Sequence, residues 1–227
     1  QFNDNYLSTL RNHLADEAQS RRLQILFRNA QNNPELEKGL IASFVSQQCP
    51  LIVINPVNTA DAMIHDLLNI IPRTIPVIFL NREPETILPP NTYYVGSDDY
   101  ESGKLQITHL MEHSKPELHI GILMGDTNSG VARRRTAAAT DFLKSFAGSQ
   151  IVIASHAGFS RTMAEQQVSY WITQHLSVDA IISNNDEMAL GALTALKKAG
   201  IAPASIKILG IDGTLDALDA IQSHELL

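Results

Sequence analysis

Cysteine is nearly missing from this chain: Cys49 stands alone. That excludes an internal disulfide and a cysteine-built metal cluster. A single thiol fits either a cytoplasmic or a periplasmic location. Long apolar runs are missing too, and none approaches the ~20 residues needed to span a bilayer. Positive charge is in deficit, with 17 basic against 24 acidic residues and a net charge of −7. No basic stripe marks a nucleic-acid footprint, and Arg133-Arg134-Arg135 is too short to form one by itself. Binding of DNA by this chain alone is therefore not expected. Neither G-x-G-x-x-G nor a Walker-type loop occurs, which leaves dinucleotide and ATP binding without support. The eight histidines show no H-E-x-x-H or H-x-H spacing. Ser129, Ser155 and Ser160 lack a nucleophile elbow. With no acid–base pair supported either, an enzyme is not expected.

What is present is an ordinary globular composition, 44% apolar and 18% charged over 227 residues. That length suffices for one large domain or two lobes. The chain is organised around Val178 to Lys198. Ala180-Ile181-Ile182 reads as a buried parallel strand. Ser183-Asn184-Asn185-Asp186 interrupts it with side chains suited to capping a helix. From Glu187 on, Met188, Leu190, Ala192, Leu193 and Leu196 recur at helical spacing. Lys197 and Lys198 suit the last turn, and Gly200 closes it. Asn184, Asn185 and Asp186 thus sit at a strand's carboxyl end, where open α/β sheets bind ligands. Plain helix capping accounts for them equally well.

The rest of the chain repeats this alternation. Strands are expected at Leu23–Phe27, Leu51–Pro56, Pro76–Asn81, Tyr93–Gly96, His119–Gly125, Ile151–Ala154 and Ile206–Asp212. Helices are expected at 7–18, 35–48, 59–71 (capped by Asn58 or Thr59), 99–113, 132–146, 162–176 and 215–222. The pattern predicts an α/β protein of two doubly wound parallel-sheet lobes joined by a hinge. Four expected strands precede Ser97 and four follow it, so the lobes are placed at 1–97 and 98–227. The first lobe opens without its expected first strand, which predicts that the chain is a piece of a longer one.

A cleft between such lobes would be edged by polar strand ends: Asp4, Asn5, Asn55, Asn81, Arg82, Asp126, Asn128, Asn185, Asp186 and Asp212. Planar amides and carboxylates make paired hydrogen bonds to vicinal hydroxyls, and rings such as Tyr6 and Phe159 suit the C–H faces of a sugar. Singly, most of these residues read as turn formers. Their expected meeting at one edge is what suggests a site.

Several words carry a family resemblance. They are Asp4-Asn5-Tyr6, Asn55-Pro56, Phe79-Leu80-Asn81-Arg82-Glu83-Pro84, Tyr93-Tyr94-Val95-Gly96-Ser97-Asp98, Arg133-Arg134-Arg135, Asn184-Asn185-Asp186-Glu187-Met188-Ala189-Leu190-Gly191 and Gly210-Ile211-Asp212-Gly213-Thr214. On these the chain resembles the type I periplasmic sugar-binding proteins, particularly the galactose/glucose-binding and ribose-binding ones. The resemblance covers nearly the whole chain. It implies a periplasmic protein that closes over a monosaccharide for ABC-type transport or chemotaxis. Its partners would be a small sugar and membrane transporter or receptor subunits, and it would be a monomer. The same core also serves as a sensor domain of signalling receptors and as the effector core of lac-repressor-type regulators.

The resemblance further implies ligand roles for Asp4, Tyr6, Asn81, Arg135, Phe159, Asn185 and Asp212. Asp4 and Asn81 would bond hydroxyls from the first lobe, and Asn185 and Asp212 from the second. Tyr6 and Phe159 would stack on opposite sugar faces, and Arg135 would fork onto ring or hydroxyl oxygens. Ser129 and Val131 depart from the galactose/glucose branch, which has a histidine and an aspartate there. His113-Ser114-Lys115-Pro116-Glu117 lacks the alternating carboxylates of that branch's calcium loop, so no calcium is expected. No cofactor and no metal are expected. The family's chain also continues past the position of Leu227, with a return crossing into the first lobe. If Arg135 and Phe159 only line the cleft, removing either should lower affinity and leave folding stability nearly unchanged.

Overall fold

Short apolar runs become strands here, and the amphipathic stretches between them become helices. The structure, a computed structural model, describes residues 5–227. The chain divides into two units, one up to Ser97 and one from Asp98 to Leu227.

The first unit contains α1 (Asn5–Ser20), α2 (Pro34–Ser46), β1 (Ile52–Ile54), α3 (Asp61–Ile70), β2 (Val77–Leu80) and β3 (Thr92–Val95). Its strands are parallel, in the order β1-β2-β3. Ile52, Ile54, Val77 and Phe79 face Ile41 of α2 and Ile64 and Leu67 of α3. Val53, Tyr93 and Val95, on alternate positions, are exposed. The start of α2 follows the sequence closely: the Asn33 side chain accepts from the Glu35 and Leu36 N–H groups, and Pro34 takes the first helical position.

Two expectations fail in this unit. Residues 23–30 carry no strand. A strand needs a ladder, and β1 pairs only with β2 among the described residues. Leu23, Ile25, Leu26 and Phe27 consequently lie exposed. Among the described residues the unit thus has three strands where four were expected. Helix α3 also begins later than residue 59. Asn58 closes a local turn onto the Ala60 N–H, while the Thr59 hydroxyl donates to Glu85 at 2.6 Å. Neither side chain caps α3, whose N-cap is Ala60.

The second unit contains α4 (Asp99–Glu112), β4 (His119–Met124), α5 (Gly130–Leu143), β5 (Gln150–His156), α6 (Arg161–Thr173), β6 (Ala180–Ser183), α7 (Asp186–Lys198), β7 (Lys207–Leu209) and α8 (Leu215–Gln222). All strand pairs are parallel, in the order β5-β4-β6-β7. Side chains alternate across this sheet. Leu123, Ile181 and Ile208 pack with residues of α6, α7 and α8. Ile120, Ile122, Ala180, Ile182 and Leu209 pack with Ile107 and Leu110 of α4 and Ala139 and Leu143 of α5. Helices therefore cover both faces, which is why these strands read as continuous apolar runs. Each buried isoleucine or leucine contributes about 1.5–3 kcal/mol. Helix α7 is buried from Asp186 through Leu193, and Gly200 ends it with φ +70° and a bond from its N–H to the Lys197 carbonyl.

The strand order creates a switch point. From β4 the chain goes to one side for β5, then returns to the other side for β6. The connections leaving β4 and β6 consequently run to opposite faces, α5 to one and α7 to the other, the arrangement that leaves a crevice in open α/β sheets. Register keeps these ends level, with Ile122 opposite Ile182, Leu123 opposite Ser183, and Ile182 opposite Leu209.

Candidate functional site

At this switch point the second unit gathers a charged and amide cluster. Arg135 lies in the second turn of α5, only 7% exposed. Its Nε donates to Asp99 Oδ1 at 3.0 Å, and its Nη1 donates to the Asn184 carbonyl at 2.5 Å. The same Nη1 lies 3.6 Å from Asp212 Oδ1. Two edges of the guanidinium are thus held, and Nη2 makes no hydrogen bond to a described residue. A planar fork fixed on two sides, with donors left over, is suited to meeting paired oxygens of a ligand.

The local sequence explains how Arg135 comes to be there. Ser129 caps α5 by accepting from the Ala132 N–H. Helices α4 and α5 cross where Gly103 meets the Arg135 backbone, and a Cβ at Gly103 would overlap the Arg135 carbonyl. That close crossing puts Asp99, in the first turn of α4 and 2% exposed, beside both Arg134 and Arg135. Gln106, about two turns further along the same face of α4, donates from Nε2 to the carbonyls of Ser183, Leu209 and Gly210. It ties α4 to the ends of β6 and β7, beside the switch point.

Asn184 is the second anchor. Its Oδ1 accepts the Gly125 N–H at 3.0 Å, and its side chain exchanges a hydrogen bond with the Thr136 hydroxyl. It joins the end of β6 to the end of β4. A Cβ at Gly125 would overlap the Cζ end of the Phe159 ring, so the tip of that ring abuts the backbone just past β4. Phe159 is half-buried and also packs on the core shared by α6 and α7. Its φ is +58°, an outlier for a bulky residue. Asp212 has φ +130° and Asn81 φ +68°. Three of the residues singled out in the sequence therefore hold uncommon backbone conformations, of a kind that collects at ligand sites.

Four of the sequence candidates, Arg135, Phe159, Asn185 and Asp212, lie in one connected cluster of the second unit. Asn185 does cap α7, its Oδ1 accepting the Met188 N–H at 3.1 Å, and its amide N–H groups make no hydrogen bond to a described residue. In the first unit Asn81 follows β2; its backbone bonds Val95, and its side chain makes no hydrogen bond to a described residue. Tyr6 lies half-buried in the first turn of α1. Asp4 falls outside the described residues.

Other members of the expected polar edge are engaged elsewhere. Arg82 donates to the Pro56 and Val57 carbonyls. Asp126 closes a turn onto the Asn128 N–H. Asp186 is buried and accepts both the N–H and the hydroxyl of Thr214. Burial raises its carboxyl above the usual range; the bonds from Thr214 and Gly213 oppose the rise, and neighbouring Glu187 adds to it. Asp186 shapes the 210–214 turn that presents Asp212.

Asp99, Gln106 and Thr136 went unnoticed in the sequence. Asp99 reads as an acid in a helix's first turn, and Gln106 and Thr136 as ordinary helix residues. Their importance comes from helix crossings that one sequence does not display. Arg135 is also more than a lining residue, because it neutralises the buried Asp99. The condition for a loss without effect on stability, that Arg135 only lines the cleft, is therefore not met, and its removal is expected to destabilise the fold.

Comparison with known proteins gives the family. Residues 1–226 match the model of the periplasmic binding protein domain. A putative rhizopine-binding protein of Rhizobium meliloti is 33% identical over 99% of this chain and 74% of its own length. The ribose import binding protein of Salmonella typhimurium is 28% identical, also over 99% of this chain and 74% of its own. The solute-binding protein of an ABC transporter from Bacillus halodurans, solved with bound myo-inositol, superposes with a TM-score of 0.89 at 26% identity, covering 100% of this chain and 78% of that one. No helix among the described residues is long and apolar enough to cross a membrane. The parallel two-unit architecture and the match along almost the whole sequence place this chain in the periplasmic binding protein domain family, among its type I sugar-binding members.

Proposed function

We propose that this chain is a periplasmic solute-binding protein that closes its two lobes over a small polyhydroxylated ligand, a monosaccharide or cyclic polyol, and hands it to an ABC-type transporter. Arg135 carries the reading: its guanidinium is oriented by Asp99 and Asn184 and keeps Nη2 unbonded among the described residues, beside Asp212. Arg135 donates to two ligand oxygens, and Asp212 accepts from a hydroxyl. The Asn185 amide donates, Phe159 covers an apolar face, and Asn81, Tyr6 and Asp4 contribute from the first lobe. Ligand contacts from both lobes favour the closed state, which a membrane partner then recognises. The relatives named for ribose and rhizopine support this ligand class, as does the neighbour with myo-inositol. Those relatives are binding proteins, and a binding role without catalysis is proposed here as well.

Calorimetric titration with a panel of pentoses, hexoses, disaccharides and inositols tests the reading. One-to-one binding of a member of the panel is expected, weakened ten- to a hundredfold in Asp212→Asn. Heat of binding from no member of the panel would overturn it.

A further inference from the structure

The last turn of α4 carries a cluster that the proposed solute site does not use. His109, Glu112 and His113 stand at i, i+3 and i+4, which puts them on one helical face. All three are exposed, and one potential ligand atom from each lies within 4.8 Å of the others. The two imidazole centroids are 4.2 Å apart, tilted by 41°. The spacings that marked metal sites in the sequence reading, H-E-x-x-H and H-x-H, passed over this His-x-x-Glu-His word.

Three further features prepare the cluster for a cation. His113 Nδ1 lies 2.9 Å from the His109 carbonyl. A carbonyl only accepts, so Nδ1 carries the proton and Nε2 of the neutral ring keeps its lone pair outward. That backbone bond fixes tautomer and ring direction, as supporting bonds do in metal sites. The cluster also sits at the carboxyl end of α4, where the helix dipole favours positive charge. Lys115, the next cation along the chain, is held by Asp179 at 2.9 Å.

We propose that His109, Glu112 and His113 form a surface site for one divalent transition-metal ion. Two imidazoles and a carboxylate suit Zn(II), Ni(II) and Cu(II), and disfavour Mg(II) and Ca(II), which require more oxygen ligands. Three protein ligands leave coordination positions for water. The site lies about 15 Å along the helix axis from Asp99, so it is separate from the Arg135 cluster.

The test is a titration of the whole chain, purified without a polyhistidine tag, with zinc chloride in a non-coordinating buffer. One equivalent is expected to bind in the micromolar range. Copper should bind tighter than nickel, and calcium should not compete. His109→Ala and His113→Ala should each weaken zinc binding at least tenfold, and Glu112→Gln should weaken it less. These side chains are exposed, so the variants should fold, which circular dichroism checks. Absence of binding at millimolar zinc, wild-type affinity in either histidine variant, or displacement by calcium would each overturn the proposal.

Discussion

Arg135 has one role that the structure shows and one that is proposed, and they are separable by measurement. Its Nε and Nη1 neutralise and bond buried groups, while its Nη2, without a hydrogen bond to a described residue, is proposed to meet the ligand. Arg135→Ala should therefore lower sugar affinity ten- to a hundredfold and also destabilise the fold. Removing one partner of a buried pair typically costs about 3–5 kcal/mol. Arg134, 3.2 Å from Asp99, will offset part of that. Urea unfolding beside calorimetry reads both effects, and an unchanged urea midpoint would show that Asp99 does not depend on Arg135. Phe159 is divided in the same way. It packs on Gly125 and the core, yet holds a left-handed backbone. Phe159→Ala should cost about 1–3 kcal/mol of stability, less than a fully buried ring, together with about tenfold in affinity. A loss of stability with affinity intact would remove Phe159 from the site.

At the scale of elements, the site depends on how α4 and the 210–214 turn are held against the strand ends. Gln106 bonds three carbonyls from inside the fold. Gln106→Leu keeps roughly the same bulk and leaves those carbonyls without this donor. A loss of about 1–3 kcal/mol is expected, with weaker ligand binding because the turn carrying Asp212 loosens. A variant with wild-type urea midpoint and affinity would contradict this. Asp186 holds the other side of the turn. Burial raises its folded pKa above the unfolded value of 3.8. The folded state thus binds this proton more tightly than the unfolded one. The contribution is fully present below pH 3.8 and is lost as pH rises through the raised folded value. Asp186→Asn keeps an acceptor for Thr214 and removes the titration. The stability difference between wild type and variant should therefore change with pH across that window, measured by urea midpoints. A difference that stays flat with pH would show that Asp186 titrates normally.

For the whole molecule, a ligand that binds only the folded, closed state stabilises it by mass action. At a hundredfold excess over Kd this adds about 2.7 kcal/mol, or roughly 5–10 °C in melting temperature for a chain of this size. The best sugar or polyol from the panel should produce that rise, and Arg135→Ala should abolish most of it at the same concentration. The net charge of −7 makes a second prediction at this scale. Random duplex DNA should show no salt-sensitive retardation at physiological ionic strength. A steep salt dependence would mean that charges cluster in a way that composition hides.

Much of this protein is determined by its sequence, because periodicity and capping are local. The stretch Ala180 to Gly200 reads as strand, cap and helix from its residues, and the structure places β6, Asn185 and α7 there. Alternation of strand and helix, with buried apolar strands, leaves a parallel sheet covered on both faces as the economical solution. Helix α8 matches its expected span of 215–222. Strand formation at 23–27 was not legible, because a strand exists only with a neighbour to bond. Nor could the sequence tell which polar strand-end residues face a ligand. Asn185, Asp186 and Asp212 look alike as residues, yet one caps a helix, one holds a turn and one lies 3.6 Å from Arg135. That sorting is set by long-range contacts. Gly103 lets two helices cross closely enough for Asp99 to reach Arg135, a pairing across 36 positions that no local pattern encodes.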